Sequence, residues 1–341
     1  MSRGNIDHLA FNRGIISQLA LARTDIDHVF LSADTMTNWL PKTQGAMRIR
    51  PGTKHLGSSV NATGARYLAF VASADDTALL EITDAKFRVW KDDALITRTT
   101  NSQALTDFNA DTGAWTASNG SGGGTAGFGD TGLVLNAVNR GGIAKATKKV
   151  TWTDTGDLTD TGSVVNHEIA LSINVTRGPV TFMCGNDTGS DSMISETTLR
   201  TGNHSLTMSP PTADTGGFHL TFQTAENVKR IVGAISIEDT GPMTITAPWD
   251  ETALSSIRSE QSADVVFLSA RGYKQRRIER RGAGRAWSVV EYQSDNGPFI
   301  SGRTAEVKLK AGGYHGNTTL TASANFFRST NVGSLFYLFT N

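Results

Sequence analysis

Apolar residues along this chain recur mainly at every second position, in short runs separated by Gly, Asp, Asn and Thr rather than by helical spacing. From Tyr67 to Ile96 the runs YLAFVAS, ALLEIT and FRVWKD, parted by ADDT and TDA, predict a meander of strands ending in a hairpin. Between residues 103 and 241 the runs LVLNAV, KKVTWT, EIALSINVT, VTFMC, HSLTMS, FHLTFQT and IVGAISIE each alternate or are β-branched. The tripeptide Asp-Thr-Gly begins at 111, 130, 154, 160, 187, 214 and 239 in this region and occurs nowhere else. Short strands with turns at most junctions predict a β-sandwich of jelly-roll type.

The flanking segments read differently. Residues 1 to about 60 hold no long amphipathic helix; Ile15 to Ala22 is too short to stand alone, and Pro41 and Pro51 interrupt the segment after it, as in an arm or the edge of a platform. After the insert, Asp250 or Glu251 is expected to open a short helix containing Leu254, Ile257 and Arg258, followed by a strand from Val265 to Ser269. WSVVEY, AEVKLKA, TTLTASA and SLFYLFT return to strand patterns, the last apolar to the end, which suggests a chain that stops inside a domain or docks its end on a partner. The expected class is mainly β: a split β-rich platform (1–102 and 242–300), an inserted jelly-roll β-sandwich (103–241) and a C-terminal β segment (301–341).

Composition fits this class. The 341 residues are 38% hydrophobic, enough for more than one core, and 35 Gly against 8 Pro is the punctuation of many tight turns. The 32 basic and 32 acidic residues cancel, so no global field draws the chain to nucleic acid or an anionic membrane. A single cysteine, Cys184, excludes an intrachain disulfide framework and a thiolate metal cluster and fits synthesis in a reducing cytoplasm. The polar N-terminus and the lack of a long apolar run predict a soluble product with neither signal peptide nor membrane-spanning helix.

Candidate chemistry is sparse. One Asp-Thr-Gly per lobe would be the paired-carboxylate arrangement of aspartic proteases, but seven copies in one region are better explained as turns, where Asp bonds its own backbone and Gly supplies positive φ. Gly122, Gly124 and Gly127 satisfy G-x-G-x-x-G, yet the flanks NGSGGGTAGFGD lack the strand and helix of a dinucleotide site. Asp107, Asp111 and Asp130 are the candidate oxygen ligands for structural Ca²⁺, against a reading as solvated turn residues, and no other cofactor is expected. Trp115, Trp152 and Phe128 are candidate aromatics for stacking on a sugar; Trp115 follows a turn and is expected to be the more exposed tryptophan, hence the candidate glycan contact. His167-Glu168 leads into a strand rather than a helical i+4 histidine, and no G-x-S-x-G is present, so no catalytic residue is assigned and the chain is expected not to be an enzyme. The strongest charge feature is KQRRIERRGAGR, with Lys274, Arg276, Arg277, Arg280, Arg281 and Arg285. It reads as a solvated face or subunit salt-bridge strip with partners such as Glu279, or as the lining of a DNA-conducting lumen.

Two stretches outside the insert resemble the tail nozzle (tail tubular protein B-like) proteins of short-tailed phages. The first carries Phe11, Gly14, Ser17, Arg23, Asp25, Asn38 and Gln44-Gly45 leading through QGAMRIRPGT to Arg50-Pro51-Gly52-Thr53; Ile15 stands where the pattern has an acidic residue. The second runs from Gln261 through QSADVVF to Tyr273, Trp287 and Gly297-Pro298-Phe299. The resemblance covers about half of the chain. It implies a virion structural protein made in the host cytoplasm: a homo-oligomeric, hexameric ring in the phage tail, joining portal and adaptor to the distal tail and conducting DNA during ejection. It also implies an insert of carbohydrate-binding-like type, so contact with tail fibres or a host-surface glycan is the alternative role of the sandwich. The relatives continue past NVGSLFYLFTN, which implies a shorter or incomplete subunit here.

Overall fold

The computed structural model describes residues 10–20, 22–23, 25–60, 64–98, 115–119, 124–129, 132–137, 142–150, 168–209, 217–226, 228–282, 284–292, 307–313, 317–332, 334, 336 and 338. The chain divides into two units, Met1–Gly57 and Ser58–Asn341. It is mainly β, as the alternating runs predict.

In the second unit, one nine-stranded antiparallel sheet runs, edge to edge, through Arg258–Ser262, Val265–Ser269, Arg276–Arg281, Ala286–Glu291, Gly202–Met208, Ile169–Arg177, Arg230–Ile237, Gly132–Ala137 and Gly124–Gly129. The last five strands face a second sheet, ordered Ile194–Leu199, Val180–Gly185, Phe218–Thr224, Ala144–Val150 and Thr116–Asn119. Between them lies a core of Leu133, Ile173, Phe182, Leu206, Phe222, Ile235 and their neighbours, which makes this region β-sandwich-like. The runs from LVLNAV to IVGAISIE all become strands of it; Trp152 of KKVTWT lies outside the described residues.

The boundary at 241 does not interrupt the sheet. Strand Gly202–Met208 of the insert pairs with Ala286–Glu291 of the platform, in the register Gly202↔Val290 to Ser205↔Trp287. Gly202 makes that seam passable: it has φ +146°, and a Cβ there would collide with the carbonyl of Val289. The sequence changes composition at this point, but backbone pairing is indifferent to composition, so two regions that read as separate share one sheet.

A second core lies on the platform side. The meander Arg66–Ser73, Asp76–Thr83 and Lys86–Lys91 forms a sheet whose inner face, Leu68, Phe70, Leu80, Phe87 and Val89, packs against Val266, Ile278, Trp287 and Trp249. Trp287 sits edge-on to Phe70 with centroids 5.1 Å apart, and its Nε1 donates to Gly284 O at 3.1 Å. The expected helix is a 3₁₀ segment, Glu251–Ser256, capped by Asp250, which accepts from the amide of Ala253. Gln261 seals the edge of the meander, accepting from Val71 N at 3.0 Å and donating to Val71 O at 2.8 Å, as a neighbouring strand would. Near the C-terminus a hairpin, Leu309–Ala311 with Leu320–Ala322, precedes a group of phenylalanines, Phe326, Phe327 and Phe336; the described residues of SLFYLFT are not in a strand.

The first unit contains a 3₁₀ turn (Gln18–Ala20), one helical turn (Asp27–Phe30) and a ribbon pairing Trp39–Pro41 with Met47–Ile49. Several residues of the QGAMRIRPGT stretch and its neighbours fix local geometry. Asn38, at φ +63°, accepts from Arg50 Nε at 2.7 Å, and Gly45, at φ +102°, turns the ribbon. Arg23 clasps Asp25 through two bonds of 2.8 Å.

Trp287 touches both aromatic neighbours of the platform core and lies on the strand that carries the seam. Trp287→Ala is expected to lower the free energy of unfolding by about 3–5 kcal/mol, read from urea denaturation curves of the full chain.

Candidate functional site

Strand Arg276–Arg281 places four arginines of the basic cluster by the period of two, so they divide between the faces of the sheet. On the face with the platform core, Arg280 reaches Asp76 at 2.5 Å and Asp264 at 2.6 Å, and its guanidinium lies 5.0 Å from the Phe70 ring centre. Arg276 meets Glu291 at 3.3 Å, and Lys274 meets the same carboxylate at 3.4 Å. On the opposite face Arg277 and Arg281 flank Glu279 at 2.6 and 2.7 Å. Asp76 is held below the usual carboxylate range by its bonds to Arg280 and Lys91. Every cation of KQRRIERRGAGR in this strand and beside it therefore has a carboxylate of its own chain.

The last member, Arg285, leads to a second charged group at the junction of insert and platform. Arg285 Nε meets Glu168 at 2.5 Å, and Arg98 bonds Glu238 at 2.8 Å and Glu168 at 3.3 Å. Arg98 also donates to Ser205 Oγ at 2.5 Å and to Arg285 O at 2.9 Å, with its side chain only 1% exposed. Two arginines and two glutamates thus balance around a guanidinium closed to water, where an unmatched charge would be costly. Arg98 comes from the platform before the insert, Glu168 and Glu238 from the insert, and Arg285 from the platform after it. Neither Arg98 nor Glu238 stands out in the sequence; the one local signal is that both lie within five residues of the composition changes near 103 and 241.

Across the seam, Ser288 Oγ lies 2.8 Å from His204 Nδ1, and His204 Nε2 lies 2.8 Å from the carbonyl of Arg200. The carbonyl accepts only, so Nε2 carries the proton and Ser288 donates to Nδ1 while accepting from Arg281 Nε at 3.0 Å. A serine–histidine contact of this kind resembles a nucleophile and its base, but both residues are buried within the sheet and the chain of bonds ends on backbone, which makes it a structural link. Burial, with the nearby charge of Arg281, depresses His204 to about 3.

The expected exposure of Trp115 is corrected. Trp115 is 5% exposed and its ring packs 5.7 Å from that of Phe222 in the sandwich core, because the strand after it, Thr116–Asn119, pairs with Ala144–Val150 and directs the indole inward. A polar hollow of about 490 Å³ lies elsewhere on the insert, lined by Lys149, Asn186, Asp187, Ser190, Ser192 and His219. Its hydroxyl and amide groups largely bond one another around the Asp187-Thr188-Gly189 turn. Gly132, Gly189 and Gly241, the glycines of three Asp-Thr-Gly copies, all have positive φ, as turns require. Gly124 and Gly127 lie on a strand, not ahead of a helix, so the phosphate-loop geometry is absent there; Gly122 lies outside the described residues. Asp107, Asp111 and Asp130 also lie outside them, and no metal-type cluster of His, Cys, Asp and Glu occurs among the described residues. No described helix is long and apolar enough to cross a membrane.

The surface that stands out is in the first unit. Among its described residues only Ser32 and Gly45 are buried, while Ile15, Leu19, Trp39 and Ile49 are 64%, 91%, 43% and 67% exposed. Comparison with protein-family models and with curated proteins returned no match.

Two measurements check the internal chemistry. Arg98→Ala leaves Glu168 and Glu238 facing each other without their shared cation and is expected to cost about 3–5 kcal/mol of stability, more than Arg285→Ala. His204, depressed in the folded chain, binds its proton chiefly when unfolded, so its contribution is complete above about pH 6.5 and falls as pH drops toward 3. Stability is expected to decline by up to about 1.4 kcal/mol per pH unit between pH 6 and 5, above the main carboxylate range, and His204→Asn should remove that slope.

Proposed function

We propose that this chain acts by assembly, as a structural subunit of a phage tail: a nozzle or hub ring that joins the portal and adaptor to the distal tail and conducts DNA. The observation that carries the assembly reading is the first unit, whose exposed apolar side chains outnumber its buried residues and whose two-stranded ribbon covers neither of its own faces. An isolated hairpin of this kind is marginal in water, and Trp, Met and Arg are among the residues that concentrate at protein interfaces. The phage-tail identity rests on the RPGT and QSADVVF segments. Asn38, Gly45, Arg50 and Gln261 of these stretches have defined structural roles, which is what a framework shared with that family would need.

DNA conduction does not require the arginine strand to grip phosphate. With Asp76, Asp264, Glu279, Glu291 and Glu168 as partners, that strand contributes little net positive charge, and a passage for DNA works only if it does not retain it. The insert then serves as a rigid module on the platform sheet. Its role in binding a host glycan loses its aromatic contact with the burial of Trp115.

Sedimentation velocity and electron microscopy of the purified chain are expected to show ring-shaped oligomers, and proteomics of purified tails should contain the protein. A monomer at every concentration reached, or absence from the particle, would overturn the reading. Trp39→Ser with Ile49→Ser is expected to weaken association at least ~10-fold while leaving the melting temperature nearly unchanged, because neither side chain belongs to a core.

A further inference from the structure

The exposed ribbon carries charge of one sign. No Asp or Glu occurs between Asp34 and Asp75, whereas Lys42, Arg48, Arg50 and Lys54 all fall in that interval and are exposed. Arg50 is engaged with Asn38; Arg48 pairs with Leu40 and, by the strand period of two, Lys42 shares their face, while Trp39 and Ile49 pair on the other. The Leu40 face is an apolar residue between two cations, which form its basic rim.

The second unit holds a surface of opposite character. On the outer face of the meander, Ala69, Leu79, Trp90 and Leu95 stand opposite one another across four strands, forming a partly exposed row beside Glu81 and Arg88, which Ser58 and Val60 cover. Leu79 and the adjoining Val71 are 41% and 55% exposed. The turns at one end of this row, Ala74–Asp75 and Asp92–Asp93, place three exposed carboxylates beside it; Asp76, at the same end, is already matched by Lys91 and Arg280. This is an apolar strip with an acidic rim, of the length of a short hairpin.

We propose that the ribbon Trp39–Ile49 of one copy docks on the outer face of the meander sheet of a second copy, with Lys42 and Arg48 against Asp75 and Asp92. The inference rests on the assembly reading above and names its contact. The occupant is a second copy because the two rims are complementary within one sequence whose total charge is zero. The two surfaces differ, so the contact is heterologous: each copy offers both a ribbon and a sheet face, and contacts of this kind close into rings when the rotation permits.

The test is charge exchange in the full chain. Lys42→Glu with Arg48→Glu, and separately Asp75→Lys with Asp92→Lys, are each expected to raise the dissociation constant at least ~10-fold in sedimentation velocity, and an equimolar mixture of the two variants should associate again. Circular dichroism verifies folding, and the milder Lys42→Gln/Arg48→Gln pair replaces the first variant if it misfolds. Wild-type chain that stays monomeric overturns the assembly reading itself. An oligomer indifferent to both charge reversals, or one that fails to recover on mixing, overturns this contact alone. Cross-links between ribbon and meander found only within single chains, in a mixture of isotopically light and heavy protein, also overturn it.

Discussion

Arg98 sits where three segments of the chain must agree. Its guanidinium is closed to solvent and holds Glu238, Glu168, a serine hydroxyl and the backbone of Arg285 at once. A buried cation of this kind contributes little net stability while its partners are present and becomes costly when one is lost, so it acts as a check on geometry. The insert leaves the platform just after Arg98 and rejoins it just after Glu238, and the two ends are drawn together by these charges and by the short pairing of Thr97–Arg98 with Gly241–Pro242. With the entry and exit so fixed, strand Gly202–Met208 can align on Ala286–Glu291 and the sheet continues across the junction.

The arginine strand depends on the same seam. Six cations in twelve residues read as one positive patch, yet a β-strand sends successive side chains to opposite faces. One set meets Asp76 of the meander, Asp264 of the turn before Val265–Ser269 and Glu291 of the adjacent strand; the other encloses Glu279. The result is a nearly neutral, partly desolvated strand in which salt bridges set register. The charge available to a partner lies instead on the ribbon of the first unit, within a stretch of forty residues without a carboxylate.

Much of the fold was legible. The alternating runs marked the three strands of the meander and seven of the ten described strands of the sandwich, missing Thr116–Asn119, Gly124–Gly129 and Ile194–Leu199; Asp250 announced its cap, and the turn reading of Asp-Thr-Gly agrees with the positive φ of its glycines wherever they are described. Alternation is legible because side-chain period and burial are local properties of a strand. Less of the candidate site was legible: Arg98, Glu168 and Glu238 are separated by 70 residues or more, and nothing in their neighbours indicates that they meet. The expected exposure of Trp115 failed for a related reason, since a residue after a turn can point to solvent or to the facing sheet, and only the position of Phe222 decides.

By itself, then, the amino-acid order determined strand identity, turn positions, the mainly β class and the uneven distribution of charge, because each depends on a few neighbouring residues. The tertiary structure alone decided that insert and platform share a sheet, that the arginines are matched within their own chain, and that the first unit leaves its apolar residues uncovered. Those outcomes depend on pairings between distant strands and on the desolvation of charges brought together by folding, neither of which leaves a trace in local sequence.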